Sequence, residues 1–375
     1  MQAPTRRNVF RPRLLLACLA LGLAAAPNLG CTGTLHSATG STMSSYAQQH
    51  MVPYLLGQED VDVACQTGAA MGAFVASFER VTDRPDLPVL VSMLGAGMCS
   101  ESQAWEADLR YARAVRAGAS AEARDAQILS ERLHTLAALR FGAAWTRTTQ
   151  AFGDLTGPCP QVQEDEQIFL LLGLASGLQA VMHDRSARGA ANISLSIPQT
   201  VARASQCLDS KKWWGVPKAL AAAVYLTVPG AQPDGVDAAV DLELAGLQGD
   251  TAKVRLSRGL QVVTYATIGA EASLVPALQS HAKALAADPP ATQWKMLDAY
   301  GEQMSRHVAD LIWTRAVGFR SSGDLSDLPG QATATDGAGD DGVLDNLEEP
   351  APAPAPAATP APAAAPTKGR PGKKK

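Results

Sequence analysis

The sequence predicts an all-α protein in which helical hairpins stack side by side ahead of a disordered tail. Across 59–320, apolar residues recur at helical spacing in roughly a dozen segments, and turns rich in proline and glycine separate these segments. The alternation typical of β-strands does not persist, because the apolar run 89–91 is short and 194–197 is isolated. A single hairpin cannot bury its apolar stripe alone, so neighbouring hairpins are expected to pack against one another.

The N-terminus is predicted to be a secretory signal peptide at 1–30. Arginines at positions 6, 7, 11 and 13 precede an apolar stretch at 14–26 that is too short for a stable membrane span. Asn28-Leu29-Gly30-Cys31 then resembles a bacterial lipobox, which predicts that Cys31 is lipidated and anchors the chain to a membrane. Thr32 in place of aspartate favours the periplasmic face of the outer membrane. Ordinary signal cleavage near 24–26, which leaves Cys31 unmodified, is the alternative.

Composition divides the remaining chain into three parts. The stretch 31–58 is rich in serine, threonine and glycine, and is predicted to be the lipidated N-terminus and a flexible tether. The helical-hairpin domain spans 59–320. The stretch 321–375 is rich in glycine and aspartate, then nearly pure proline and alanine, and ends in basic residues. Because such a chain cannot bury a core, it is predicted to be a disordered tail.

Helices are predicted in order at 61–81, 87–99, 102–117, 120–152, 168–182 and 198–208, then three within 216–269, and finally at 273–287 and 292–319. Acidic residues at 164–166 are interpreted as compensation of the helix dipole at the start of the fifth helix. The apolar side of 120–152 consists of Ile128, Leu129, Leu133, Leu136, Leu139 and Trp145. Within 216–269, one face of the second helix is traced by Val236, Ala239, Val240, Leu244 and Leu247. Both stripes are expected to face neighbouring helices.

Cysteine usage supports export. If Cys18 leaves with the signal and Cys31 carries lipid, four cysteines remain, at positions 65, 99, 159 and 207. In an oxidising compartment these predict two disulfides, with three possible connectivities. The spacing favours Cys65–Cys99 and Cys159–Cys207, each joining a helix to its neighbour, and four free buried thiols are the alternative.

Signals for chemistry are weak throughout the chain. A net charge of −4 without a basic stripe in the folded part argues against a nucleic-acid partner. The Gly95-x-Gly97 pair resembles the opening of a dinucleotide site, but close helix packing explains it better because the flanking chain is helical. Six histidines show no metal-ligand spacing, and His183-Asp184 could join an acid–base pair only with a third member from elsewhere. The sequence therefore predicts a non-enzymatic protein without a metal or cofactor.

Aromatic residues are scarce, so their positions suggest where a ligand could bind. Trp213, Trp214 and Tyr225 gather around the first helix of 216–269, and Lys218 lies between them. They are predicted to line a groove in which indoles contact an apolar body and the lysine attracts a carboxylate. Plain core packing of these aromatic residues is the alternative.

Several segments together resemble the T-component lipoproteins associated with tripartite (TRAP) transporters, the TatT-like family. The matching residues are Phe169-Leu170-Leu171-Leu172-Gly173 to Asp184, Ala221-Ala222-Ala223-Val224-Tyr225, Pro229-Gly230, Val236-Asp237-Ala238-Ala239 to Leu247, Ala252-Lys253-Val254 to Tyr265-Ala266, Ala284-Leu285-Ala286-Ala287-Asp288-Pro289, Leu297, Arg306, and Ala309-Asp310-Leu311-Ile312 to Phe319. The chain departs from the family at 230–235, where the expected paired glycines are absent, and at Arg306-His307, where the basic run is short.

The resemblance implies an all-α lipoprotein of degenerate tetratricopeptide-like hairpins. It further implies a partner, the periplasmic solute-binding subunit of a TRAP-type transporter, and a small organic-acid or hydrophobic ligand. The alternative function is a tetratricopeptide-like envelope scaffold that organises proteins and carries no solute.

Overall fold

The structure, a computed structural model, describes residues 31–82 and 85–329. Three quarters of these residues are helical and none forms a strand, which confirms the all-α prediction. The helices are α1 (Cys31–Tyr46), α2 (Val52–Leu56), α3 (Val61–Ala76), α4 (Asp86–Arg116), α5 (Ser120–Phe152), α6 (Gln167–Ser186), α7 (Ile197–Ser205), α8 (Val216–Thr227), α9 (Ala238–Ala252), α10 (Leu256–Ile268), α11 (Glu271–Ala287) and α12 (Lys295–Val317). A π-helical turn, Ala47–Met51, joins α1 to α2, and 3₁₀ turns lie at Ser77–Arg80 and Thr292–Trp294.

The longest hairpin consists of α4 and α5, with 31 and 33 residues, and α3 and α6 pack on its two sides. The two helices predicted at 87–99 and 102–117 are in fact the single helix α4. Gly95 and Gly97 lie inside this continuous helix, at positions where neighbouring elements approach closely. A Cβ at Gly95 would come 2.7 Å from the Ala64 carbonyl oxygen, and one at Gly97 would come 2.7 Å from the Phe141 ring. Close packing therefore accounts for this glycine pair.

The C-terminal helices α8 to α12 form a second group, in which α10 crosses α12 at two glycines. A Cβ at Gly259 would lie 2.6 Å from the Gly301 carbonyl oxygen, and one at Gly301 would lie 2.8 Å from the Leu256 Cα. Because neither position has room for a side chain, the backbones of α10 and α12 approach more closely than leucine-lined helices could. Across the described helices, lengths range from 5 to 33 residues and follow no common repeat. The predicted repeating hairpin array is not confirmed.

The predicted apolar faces of two helices are wrong. On α5, the core face consists of Ala126, Ala137, Ala138, Phe141 and Ala144, whereas Leu129, Leu136 and Leu139 are exposed. On α9, the buried face consists of Ala238, Leu242, Ala245 and Gly249, whereas Val240, Leu244 and Leu247 form an exposed apolar stripe. In both helices, small residues let neighbouring backbones approach, and a single large apolar side chain, Phe141 on α5 and Leu242 on α9, is buried with them. The predicted leucines named above remain on the outside.

The folded part extends beyond both predicted ends. The stretch 31–56, predicted as a flexible tether, is helical, and Val52 and Leu56 are buried. At the other end, Leu325 and Leu328 are buried, although 321–375 was predicted to be a disordered tail. These apolar residues pack on the helical body, which explains why the folded part does not stop at 320. The predicted signal peptide at 1–30 and the tail from 330 onward lie outside the described residues.

The two predicted cysteine pairs are found. Cys65 on α3 is bonded to Cys99 on α4, and Cys159 in the loop before α6 is bonded to Cys207 after α7. By loop-closure entropy, each bond stabilises the fold by roughly 2–4 kcal/mol. Among the described residues, Val61–Arg80 is the one stretch long and apolar enough to cross a membrane by length and composition. The bond at Cys65 and the backbone contact at Gly68 hold this stretch against α4 in the fold.

Candidate functional site

A cleft of about 840 Å³ lies among α4, α5, α6, α10, α11 and α12. Its walls are apolar and include Leu178, Val263, Leu274, Met304 and Ile312. Its floor is polar and carries Glu101, Asp108, His134, His183 and His307. A second cavity of about 770 Å³ adjoins it and shares Asp108, His134 and Arg315. This volume accommodates a molecule of drug-like size, and apolar walls with a few convergent polar groups are typical of ligand sites.

The floor is built by residues at helical spacing on three helices. Glu101, Trp105 and Asp108 follow one another at i, i+4 and i+7 on α4. Gln179 and His183 are four residues apart on α6, and Tyr300, Met304 and His307 repeat the i, i+4, i+7 spacing on α12. His134 comes from the alanine-lined face of α5. Each of these four helices thus directs polar side chains toward the floor of the cleft.

Four side chains form a continuous hydrogen-bonded chain across the floor, which we call the Glu–His–His–Asp chain. The Glu101 Oε1 lies 2.9 Å from the His183 Nε2, and the His183 Nδ1 lies 2.8 Å from the His134 Nδ1. The His134 Nε2 then lies 3.1 Å from the Asp108 Oδ2. Both ring nitrogens of both histidines are therefore engaged within the protein.

Both carboxylates at the ends of the chain have further donors. Glu101, only 2% exposed, accepts from the Gln179 Nε2 at 2.9 Å and from the Tyr300 hydroxyl at 2.5 Å. Burial, together with the negative charge of Glu101, raises the pKa of Tyr300 well above its ordinary value, so Tyr300 remains a donor. Asp108 accepts from the Ser130 hydroxyl at 2.5 Å. Burial raises the pKa of Asp108, but hydrogen bonds from His134 and Ser130 outweigh burial and hold that pKa below its usual value.

His307 differs from the other two histidines of the floor. Its ring stacks on Trp105 at a centroid distance of 4.7 Å, and its buried Nδ1 has no hydrogen-bond partner among the described residues. Burial lowers the pKa of His307 to about 3, so the ring is neutral at ordinary pH. Buried polar atoms are normally paired, so this Nδ1, which is closed off from solvent, is an exception.

The described residues contain no group of three or more His, Cys, Asp or Glu side chains that could hold a metal ion. His134 and His183 are committed to carboxylates and to each other, so these side chains can share protons along the Glu–His–His–Asp chain.

The predicted ligand residues do not line this cleft. Trp213 and Trp214 are 6% and 5% exposed and pack with Trp294 in the core. The Trp213 indole donates to the Gln167 Oε1 at 3.2 Å. Tyr225 accepts a hydrogen bond from Gln206, and the Lys218 ammonium pairs with the Asp241 carboxylate at 2.6 Å. This placement favours the core-packing alternative for the tryptophans and leaves the lysine charge compensated.

The floor itself was missed by sequence reasoning. His134 and His183 are 49 residues apart, so no local spacing connects them. His183 pairs with Glu101 rather than with its neighbour Asp184, whose carboxylate accepts from the backbone of Ala191 and Ile193. The available signal was the recurrence of polar residues at helical spacing on otherwise small-residue faces.

The predicted lipidation residue, Cys31, is the first residue of α1, and its side chain lies outside the described part. Comparison of the chain with models of protein families, with curated proteins and with solved structures finds no match.

Proposed function

We propose that this chain is an exported, lipid-anchored binding protein that carries a small organic molecule in the cleft and catalyses no reaction. The observation that supports it most is the cleft itself, in which a largely apolar lining adjoins a polar floor. In the proposal, the partner is the periplasmic solute-binding subunit of a TRAP-type transporter, as the resemblance of the sequence implies.

The hydrogen bonds that His134 and His183 already form on the floor support a binding role over catalysis. A general base needs a nitrogen or oxygen within hydrogen-bond reach of a substrate proton. His134 and His183 already use both of their ring nitrogens within the Glu–His–His–Asp chain. A ligand in the cleft would therefore meet a histidine pair that is already hydrogen-bonded within the protein.

The exposed stripe of Val240, Leu244 and Leu247 supports the partner part of the proposal. Contiguous apolar side chains on a helix surface mark protein interaction sites. The same stripe favours the second candidate function, an envelope scaffold that assembles proteins without a solute. The presence or absence of a ligand in the cleft distinguishes the two functions.

A substitution that fills the cleft with a large side chain tests whether the protein carries a small molecule there. Ala266 is half-buried and lines the cleft, so Ala266→Trp is expected to place an indole in the ligand volume. The exposed Ala121 at the start of α5 offers a matched control, Ala121→Trp. Native mass spectrometry of protein from native membranes should find a small molecule on the wild type and the control. On Ala266→Trp its occupancy should fall at least about tenfold, because the bulky side chain excludes it. Equal occupancy in all three proteins would refute the cleft as the site, and an empty wild type would favour the scaffold.

Lipid anchoring has its own test. Metabolic labelling with an alkyne fatty acid should mark the wild-type protein and leave Cys31→Ala unlabelled, because the lipidated thiol is then absent. Cell fractionation should move the variant from the membrane to the soluble fraction. Equal labelling of both proteins would end the lipoprotein proposal and leave the cleft proposal standing.

A further inference from the structure

The Glu–His–His–Asp chain holds more protons than two neutral imidazoles carry. Each of its three hydrogen bonds, at 2.9, 2.8 and 3.1 Å, needs one proton between its two heavy atoms. Two neutral imidazoles supply two protons in total, and ionised carboxylates supply none. With only two protons, one of the three contacts lacks a proton: either the two Nδ1 atoms direct lone pairs at each other, or one Nε2 directs its lone pair at a carboxylate oxygen. With three protons, the four side chains together carry a charge of −1, and without the third they carry −2.

We propose that this third proton controls the charge of the cleft floor, so that the cleft binds a small organic anion with an apolar body while the proton is held and releases it when the proton leaves. The proposal rests on the proposed function in that it takes the cleft as the ligand site. It adds the charge class of the ligand and the coupling of its binding to a proton.

The charged and titratable groups around the histidine pair come from every element that packs against it. They are Glu101 and Asp108 on α4, His134 on α5, His183 and Arg185 on α6, Glu271 on α11, and Tyr300, His307 and Arg315 on α12. Arg185 and Arg315 line the cleft, and both residues are exposed to solvent. These two guanidinium groups are cations available to an anionic head group. The apolar walls would contact the rest of the molecule.

The sign of the coupling follows from the charge of the floor. An anion in the cleft is repelled less by a floor of charge −1 than by one of −2. Its binding therefore stabilises the third proton, and by linkage its affinity falls as rising pH removes that proton. A neutral molecule of the same shape would not respond to this change.

Two dyes with the same ring system separate charge from shape. 8-Anilinonaphthalene-1-sulfonate carries a permanent negative charge, and N-phenyl-1-naphthylamine is its neutral counterpart. We expect the affinity of the full chain for the anionic dye to fall as the pH is raised stepwise, by about tenfold once the third proton is lost, from one unit of charge across a partly solvated site. The affinity for the neutral dye should remain constant. Fluorescence titration measures both, and Ala266→Trp should weaken both at every pH.

Variants of His134 test whether the pH dependence of anion binding arises from the Glu–His–His–Asp chain. In His134→Gln and His134→Asn, an amide can pair with Asp108 or His183 but cannot take up the third proton. Both variants should bind the anionic dye with a flat pH profile, and circular dichroism verifies that each is folded. The matched control is His36→Gln, which makes the same chemical change at an exposed residue of α1 and should keep the wild-type profile.

Failure of the proton coupling and failure of the cleft as the binding site would give different results. If both dyes show the same pH profile, or if folded His134 variants keep the wild-type profile, the proton coupling is wrong while the cleft remains a ligand site. If Ala266→Trp weakens neither dye, the cleft is not the binding site, and the coupling falls together with the proposed function.

Discussion

Asp298→Asn is expected to lower the free energy of unfolding by about 3–5 kcal/mol, because it leaves the buried guanidinium of Arg255 without a counter-charge. The Arg255 and Asp298 side chains are 2% and 5% exposed. The Arg255 Nε donates to the Asp298 Oδ1 at 2.7 Å, and the Nη2 donates to the Oδ2 at 2.6 Å. Asparagine has nearly the same shape but no charge and one acceptor oxygen, so the change removes the ion pair without opening a cavity.

A nearby surface pair offers the control. The Lys253 ammonium lies 2.7 Å from the Asp288 carboxylate, with both side chains nearly half exposed. Asp288→Asn is therefore expected to cost less than about 1 kcal/mol, because solvent screens the pair. Urea denaturation of the three proteins at neutral pH measures both losses. A small and equal loss in the two variants would mean that the Arg255 charge finds compensation elsewhere.

Gly215→Ala is expected to destabilise the protein by roughly 3 kcal/mol or more, through backbone strain and a steric clash. Gly215 precedes α8 with φ of +80°, a conformation that disfavours any Cβ. A Cβ there would overlap the Ala245 carbonyl oxygen and lie 2.7 Å from its carbon. Because both atoms belong to the backbone of α9, only a separation of the two helices could relieve the contact.

Gly235→Ala is the control that measures the backbone strain alone, without the steric clash expected for Gly215→Ala. Gly235 has φ of +77°, and a Cβ there would meet nothing within 4 Å. Its replacement should cost only the left-handed backbone strain, about 1–2 kcal/mol. Denaturation midpoints of the two variants give the difference, which measures the contact between α8 and α9. Equal losses would show that α9 moves aside at little cost.

Local sequence patterns predicted most of the helices between residues 59 and 320 and both disulfides. Periodicity and turns placed the helix 120–152 at the observed Ser120–Phe152, and cysteine spacing, with the expectation of export, favoured both bonded pairs. Both inferences use information within one segment or between adjacent helices. The break predicted inside α4 was wrong, because Gly95 and Gly97 serve contacts with other elements.

Which face of a helix is buried could not be predicted from apolar periodicity alone. On α5 and α9 the predicted leucines and valines form an exposed stripe. The core faces instead combine small residues with one large apolar side chain each, Phe141 on α5 and Leu242 on α9. Which face is buried depends on how closely the backbone of a neighbouring helix approaches, as it does where Gly215 meets Ala245. Where backbones nearly touch, a small residue packs better than a large one.

The sequence by itself determined the helical class, most helix positions and both cysteine pairs, because these follow from periodicity and from residue types close along the chain. Only the tertiary structure decided the core faces and the cleft floor. Glu101 and Tyr300 form a hydrogen bond across 199 residues, and His134 meets His183 across 49. Nothing in a single segment specifies such a meeting, because it requires α4, α5, α6 and α12 each to turn one polar stripe toward a common point. That orientation is set by the packing of small residues between the helices.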